Sequence, residues 1–159
     1  MKDIVNNISP DEIDSFLTLC TSVGGYVIFP AKKVNNQFTI NQSRGINKRI
    51  CDRWDLTLEC IRLYYSNQPN PLSKILANYG SFFNLFGDFR GYVQYFLMQD
   101  LVSRDYSSVK FYLPHTKFDL NPIPKSVNEY RTYMKNVMTF ISKRNFRISK
   151  YCEGVSILK

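Results

Sequence analysis

The chain has 159 residues, of which 44% are hydrophobic, and it carries a formal net charge of +8. A chain of this length buries roughly 70% of its unfolded surface as one globular domain, so we expect residues 1–159 to form a single domain. The sequence has no apolar run of about 18 residues, which a membrane span needs, and acidic residues stand where a secretory signal would be apolar. A cytoplasmic protein without a membrane partner is therefore expected.

The first predicted element is a short amphipathic helix over residues 9–19. Ser9 is a suitable N-cap, Pro10 suits the first helical position, and Glu12 completes an S-x-x-E capping box. Apolar residues continue the pattern at spacings of three and four, and a pair of glycines at residues 24–25 ends it.

Two short runs of β-forming residues follow this helix. Residues 26–29 read YVIF and stop at Pro30, and residues 37–40 read QFTI. Asn35 and Asn36 between the runs are typical turn residues. The pattern predicts a small N-terminal β-hairpin.

The longest helical pattern in the chain covers residues 46–66. Its apolar positions fall on two separate sides, because Leu56 and Leu63 lie away from the main face. A helix with two apolar sides is packed from both, so we expect this helix at the centre of the fold. The main face comprises Ile46, Ile50, Trp54, Leu58, Ile61 and Tyr65.

Charged residues occupy the strip between those two sides. Three carboxylates in such a row are able to bind a divalent cation or share a proton, and an arginine beside them is able to pair with one or meet a phosphate. Buried ion pairs and a solvated surface explain the same spacing, so three interpretations stay open. No metal ligands and no cofactor are assigned. The candidate residues are Arg44, Asp52, Arg53, Asp55, Glu59 and Arg62.

Two further helices are predicted at about residues 72–86 and 88–102, separated by Gly87. The aromatic residues around this glycine are dense, and large rings are normally buried, so we expect them in the core. Residues 103–125 lose the helical pattern. His115, the only histidine, lies there and has no predicted partner.

The last predicted helix begins at Ser126, and Glu129 completes a second S-x-x-E box. Seven basic residues between 125 and 150 stand against Glu129 alone, a net charge of +6. Concentrated positive charge attracts nucleic acid or an acidic protein surface, although a solvated basic face explains it nearly as well. The candidate polyanion-binding residues are Arg131, Lys135, Lys143, Arg144, Arg147 and Lys150.

Four stretches of the chain resemble a family of uncharacterised bacterial and phage-associated proteins that carry a domain of unknown function. They read TINQSRGINKRICDRWDLTLECIRLYY, YGSFFNLFGDFRGYVQYFLMQDLV, DYSSVKFYLP and PKSVNEYRTYMKNVMTFISKRNFRI. The resemblance implies a bacterial or phage setting and carries over no catalytic residues. It also implies that the residues from Arg44 to Arg62 belong to a characteristic segment.

These observations predict an α+β fold, mainly α, with about five helices packed around the 46–66 helix and a small N-terminal β-hairpin. The sequence contains no P-loop, G-x-G-x-x-G or G-x-S-x-G motif, and one histidine excludes a two-histidine metal site. The leading hypothesis is a non-enzymatic binding protein that engages nucleic acid or an acidic protein through the last helix. The alternatives are a small enzyme, nuclease-like or nucleotide-processing, that uses the polar strip, and an inhibitor of a defence complex.

Overall fold

The computed structural model describes residues 2–156, and the side chains of residues 3–154. Within residues 2–156 it is helical, with one isolated antiparallel bridge between Val102 and Val109 and no strand. Among the helices of residues 2–156, none is both long enough and apolar enough to cross a bilayer. The α-helices are α1 Lys2–Val5, α2 Pro10–Cys20, α3 Ile40–Ile46, α4 Trp54–Tyr65, α5 Ser73–Asn78, α6 Gly80–Asn84, α7 Phe89–Tyr95 and α8 Val127–Ser156, and Val23–Gly25 and Gln99–Leu101 are 3₁₀ turns.

The prediction of a mainly helical protein is confirmed, whereas the predicted N-terminal β-hairpin is wrong. The second predicted strand runs into the start of α3, because the Thr39 hydroxyl accepts the Gln42 N–H (3.2 Å) and the Gln42 side chain accepts the Thr39 N–H (3.0 Å). This reciprocal capping box starts a helix where β propensity predicted a strand. The described residues also contain eight α-helices rather than about five.

The predicted 46–66 helix covers the last residue of α3, a turn and then α4. Residues 47–53 leave the helical path, and Cys51 and Asp52 have φ angles of 49° and 59°. Non-glycine residues rarely adopt this left-handed conformation, and never as part of a right-handed helix. The predicted apolar face is broken accordingly, since Ile46 is 64% exposed.

Helix α4 nevertheless lies at the centre of its part of the fold. Four consecutive residues, Asp55 to Leu58, are fully buried, so this turn of the helix is enclosed on every side. The helix packs against α5 and α7. The prediction that this segment is buried on two sides is confirmed for residues 54–65.

The aromatic residues around Gly87 form much of the adjoining core. Phe83 and Tyr92 are buried with ring centroids 5.9 Å apart, and Tyr92 also contacts Phe96 at 4.8 Å. Gly87 takes a φ of +75°, which favours glycine and separates α6 from α7. Tyr95 is 71% exposed, so the aromatic cluster is a core with one open edge.

The chain folds into two compact units. One unit combines the residues up to Val27 with those from Pro124 onward, and here α8 packs against α1, α2 and the first 3₁₀ turn. The other unit is Ile28–Ile123 and contains α3 to α7. The single-domain prediction for 1–159, which includes residues outside the described range, stays a prediction.

The predicted starts of α2 and α8 are both found. Ser9 caps α2 by accepting the Glu12 N–H at 3.2 Å. The Ser126 hydroxyl accepts the Glu129 N–H at 3.1 Å, but the Glu129 carboxylate accepts from the Lys125 N–H rather than from Ser126. The capping serine is therefore as predicted, and the reciprocal half of the second box is displaced by one residue.

Candidate functional site

Asp52, which the helical pattern placed on the polar strip, lies outside helix α4. Asp52 lies in the turn before α4, its side chain is 68% exposed, and it pairs with Arg44 at 2.5 Å. Arg44 also donates to the Thr57 hydroxyl at 3.0 Å and lies 5.5 Å from the centre of the Trp54 ring. These contacts tie α3 to the first turn of α4, which gives Arg44 a structural role.

Arg53 and Asp55 form a buried ion pair at the start of α4. Their side chains are 4% and 0% exposed, and two parallel bonds of 3.1 and 2.5 Å join them. The Asp55 carboxylate also accepts the Tyr112 N–H (2.8 Å), and Arg53 donates to the Pro122 carbonyl oxygen (2.7 Å). This pair therefore connects α4 to two loop segments of the same unit.

Glu59 and Arg62 form the third pair, one turn further along α4. Both bonds are 2.7 Å long, the side chains are 13% and 22% exposed, and the hydrogen bonds that Arg62 donates to Glu59 raise the pKa of Arg62. All the candidate residues of the strip are thus engaged in pairs, which matches the ion-pair interpretation. Among residues 2–156, no three acidic, cysteine or histidine side chains are grouped as metal binding would need.

His115 lies beside this network, a position that the sequence did not predict. Its ring is 4.6 Å from Phe111 and 5.0 Å from Phe118, centre to centre. Burial, reinforced by the positive charge of Arg53, lowers the pKa of His115. The aromatic residues four before and three after this histidine were the available sequence signal.

Helix α8 does not present its six predicted polyanion-binding residues on one surface. Arg144 is only 6% exposed and donates to the carbonyl oxygens of Gly24 (2.8 Å) and Tyr26 (2.7 Å). It holds the 3₁₀ turn and the residue after it against α8. Arg147 is half-buried. Arg144 is therefore a structural residue, and the contiguous basic face predicted from the sequence is interrupted here.

The remaining basic residues of α8 differ in how far they are neutralised. Arg131 makes two bonds of 3.0 Å to Glu12, which lower the pKa of Glu12 and raise that of Arg131. Lys150 pairs with Glu153 at 2.7 Å. Lys135 and Lys143 are exposed.

These two lysines line a groove between α2 and α8. It has a volume of about 890 Å³, and we call it the α2–α8 groove. Both walls carry charge, and Met134, which is 5% exposed, is its most deeply buried lining residue. The walls include Asp11 and Glu12 from α2 and Met134, Lys135, Met138 and Lys143 from α8.

The contribution of α2 to this groove was missed from the sequence. The periodicity of each helix indicates which face is apolar, but it does not say which two helices lie side by side. The usable signal was the pair of methionines four residues apart next to Lys135.

Comparison with known proteins identifies a family but no activity. No curated protein and no solved structure matches the chain. A model of a family of unknown function, DUF6994, matches residues 1–148. The resemblance seen in the sequence is confirmed in so far as it concerns a domain of unknown function, and the bacterial or phage setting stays a prediction. The protein therefore belongs to this family of unknown function.

Proposed function

We propose that this protein is a non-enzymatic binding protein that engages an acidic segment of a partner protein in the α2–α8 groove. The bacterial or phage setting and the cytoplasmic location predicted from the sequence belong to the same proposal. The observation that carries it is the position of two exposed lysines, Lys135 and Lys143, along a groove whose depth is lined by Met134.

The charges of the groove support an acidic partner. Arg131 and Glu12 neutralise each other, which leaves Lys135 and Lys143 facing Asp11. An excess of positive charge raises the local concentration of an acidic partner and speeds its association. Asp11 lies on the α2 wall, opposite the lysines of α8. It would orient a partner segment that carries a basic residue on the side that contacts α2.

The apolar lining favours a protein partner over nucleic acid. Met134 and Met138 offer a flexible, polarizable surface that repacks around apolar side chains. A phosphate backbone leaves this surface uncovered and meets Asp11 at the rim. An amphipathic helix in a groove, with acidic residues beside its apolar stripe, satisfies both features.

The enzyme hypothesis has less support. A catalytic base or nucleophile needs a polar group that is available to the substrate. The carboxylates of Asp55 and Glu59 are bonded to Arg53 and Arg62 and are largely buried. Inhibition of a defence complex remains one biological outcome of the proposed binding.

The test is a binding assay with two defined probes. One probe is a fluorescent amphipathic peptide of about four helical turns with a leucine stripe flanked by glutamates, and the other is a short duplex DNA. We expect the peptide to bind more tightly. Lys135→Gln combined with Lys143→Gln is expected to weaken peptide binding by about tenfold.

The matched control is Lys150→Gln, which removes one charge from the same helix outside the groove. It is expected to leave peptide affinity unchanged. Equal losses from Lys150→Gln and from Lys135→Gln or Lys143→Gln alone would indicate general attraction to α8. Preference for DNA, with a steep salt dependence, would replace the proposal by nucleic-acid binding.

A further inference from the structure

A second groove lies in the other compact unit, among α3, the turn after it, and α5. It has a volume of about 510 Å³, within the range of small-molecule sites, and we call it the α3–α5 groove. It shares no lining residue with the α2–α8 groove. The residues that define it here are Ser43, Ile46, Lys48, Arg49, Leu72 and Leu120.

Much of the wall of this groove is apolar and open to water. Ile46 and Leu120 are each 64% exposed, although both are large aliphatic side chains. Leu72 is 1% exposed and continues the apolar surface inward. Covering such a wall with the apolar body of a ligand removes it from water, which is favourable.

The charged residues that line this groove are all basic. Lys48 and Arg49 are exposed and line the groove, and no acidic residue lies among its lining residues. Ser43 also lines it, is 7% exposed, and has a buried hydroxyl without a hydrogen-bond partner among the described residues. This hydroxyl is out of reach of solvent, so the cations are the polar groups that an anion in the groove meets.

Hydrogen bonds hold the segments around the groove in place. The Asn47 amide donates to the Pro71 carbonyl oxygen (3.3 Å) and accepts the Arg49 N–H (2.9 Å). The Asn121 N–H donates to the Lys48 carbonyl oxygen at 2.7 Å. The turn that carries the cations is thereby tied both to the residues just before α5 and to the segment with Leu120. A site held in place before binding loses less entropy when a ligand enters.

From this combination we infer that the α3–α5 groove binds a small organic anion with an apolar body and one carboxylate. The apolar body lies against Ile46, Leu72 and Leu120. The carboxylate pairs with Lys48 or Arg49. This inference goes beyond the proposed function and does not depend on it.

The test uses the full chain and a series of apolar monocarboxylates, from butyrate to decanoate together with 4-phenylbutyrate. Calorimetry measures affinity, and methyl NMR of Ile46, Ile75, Leu72 and Leu120 reports the location. We expect saturable binding with shifts at these methyl groups. The uncharged 4-phenylbutyramide is expected to bind about tenfold more weakly than 4-phenylbutyrate.

Two variants and one control separate the contributions. Lys48→Gln combined with Arg49→Gln is expected to weaken carboxylate binding by about tenfold and leave the amide unaffected. Leu120→Gln is expected to weaken both ligands. Lys33→Gln, an exposed lysine outside the groove, is the control and is expected to change neither.

Each result decides the inference. If no carboxylate of the series gives saturable shifts at these methyl groups, the site is excluded. Equal binding of acid and amide, or a loss with Lys33→Gln as large as with the double variant, would overturn the anion specificity. Circular dichroism of every variant verifies that the helices are intact, so that a loss of binding is not a loss of fold.

Discussion

Arg53 and Asp55 are joined by two hydrogen bonds inside unit 28–123, with side chains 4% and 0% exposed. Both residues were candidates for chemistry in the sequence, and both are used to hold the start of α4 to the segments around Tyr112 and Pro122. Removing one partner of such a buried pair strongly lowers the free energy of unfolding, because the other charge is then left buried without compensation.

Asp55→Asn is therefore expected to destabilise the protein by about 3–5 kcal/mol, measured by urea unfolding. The control is Asp52→Asn, since Asp52 is 68% exposed and its loss is expected to cost at most about 1 kcal/mol. Equal effects of the two substitutions would contradict the assignment of Arg53 and Asp55 as the structural pair.

Arg144→Met is expected to lower the free energy of unfolding by about 1.5–3 kcal/mol, because the charged donor to the Gly24 and Tyr26 carbonyl oxygens is lost. Lys143→Met, at the exposed neighbouring position, is expected to stay within about 0.5 kcal/mol of the parent. Chemical denaturation of both variants measures the contrast. If Arg144→Met were as stable as the parent but bound polyanions less well, the structural role of Arg144 would be contradicted and a binding role supported.

Gly24 makes a close approach to α8 that only glycine permits. An added Cβ would lie 2.6 Å from the Asn145 side-chain oxygen and 2.7 Å from the Ile141 carbonyl oxygen. Gly24→Ala is expected to cost about 1–3 kcal/mol in thermal or urea unfolding. Gly45→Ala in α3 has no atom within 4 Å of the new Cβ and is expected to stabilise by about 0.4–1 kcal/mol. Identical changes at the two glycines would argue against the packing of α8 on this turn.

His115 predicts a pH dependence of stability with a definite sign. Burial lowers its pKa below the ordinary value of 6.5, so the unfolded chain binds the proton more readily than the folded chain. The stabilising contribution is complete above about pH 6.5 and declines as the pH falls from there towards the lower folded pKa. His115→Phe is expected to remove this part of the slope, measured by unfolding between pH 5 and 8 and compared at each pH.

NMR checks the same prediction directly, because the chain has one histidine and hence one imidazole signal. We expect that signal in the folded protein to titrate below 6.5. A midpoint at or above 6.5 would contradict the prediction that burial and the charge of Arg53 outweigh the acidic groups that raise the pKa of His115.

Local signals in the sequence were sufficient for several elements. Ser9 with Glu12, Ser126 and Gly87 each act within three residues of themselves, and each is found at the boundary it predicted. Hydrophobic periodicity likewise predicted a helix buried on two sides over residues 46–66, and this holds for residues 54–65. Caps, turns and faces depend on neighbours along the chain, which is why a single sequence reveals them.

Other features depended on contacts between distant residues. The helical pattern over 46–66 placed Asp52 on the helix, whereas Cys51 and Asp52 are left-handed and Asp52 pairs with Arg44. The YVIF and QFTI runs have β-forming residues but no pairing strand among the described residues, and Thr39 starts a helix instead.

By itself, the sequence determined a mainly helical protein, the helix starts at Ser9 and Ser126, burial on two sides for part of the 46–66 segment and an excess of positive charge towards the C-terminus. Only the tertiary structure decided which charges are available. It buries Arg144 under the Gly24 turn, pairs Arg131 with Glu12, and leaves Lys135 and Lys143 along a groove whose other wall comes from α2. The physical reason is that a charge counts for binding only where solvent and a partner reach it, and that depends on which elements pack together.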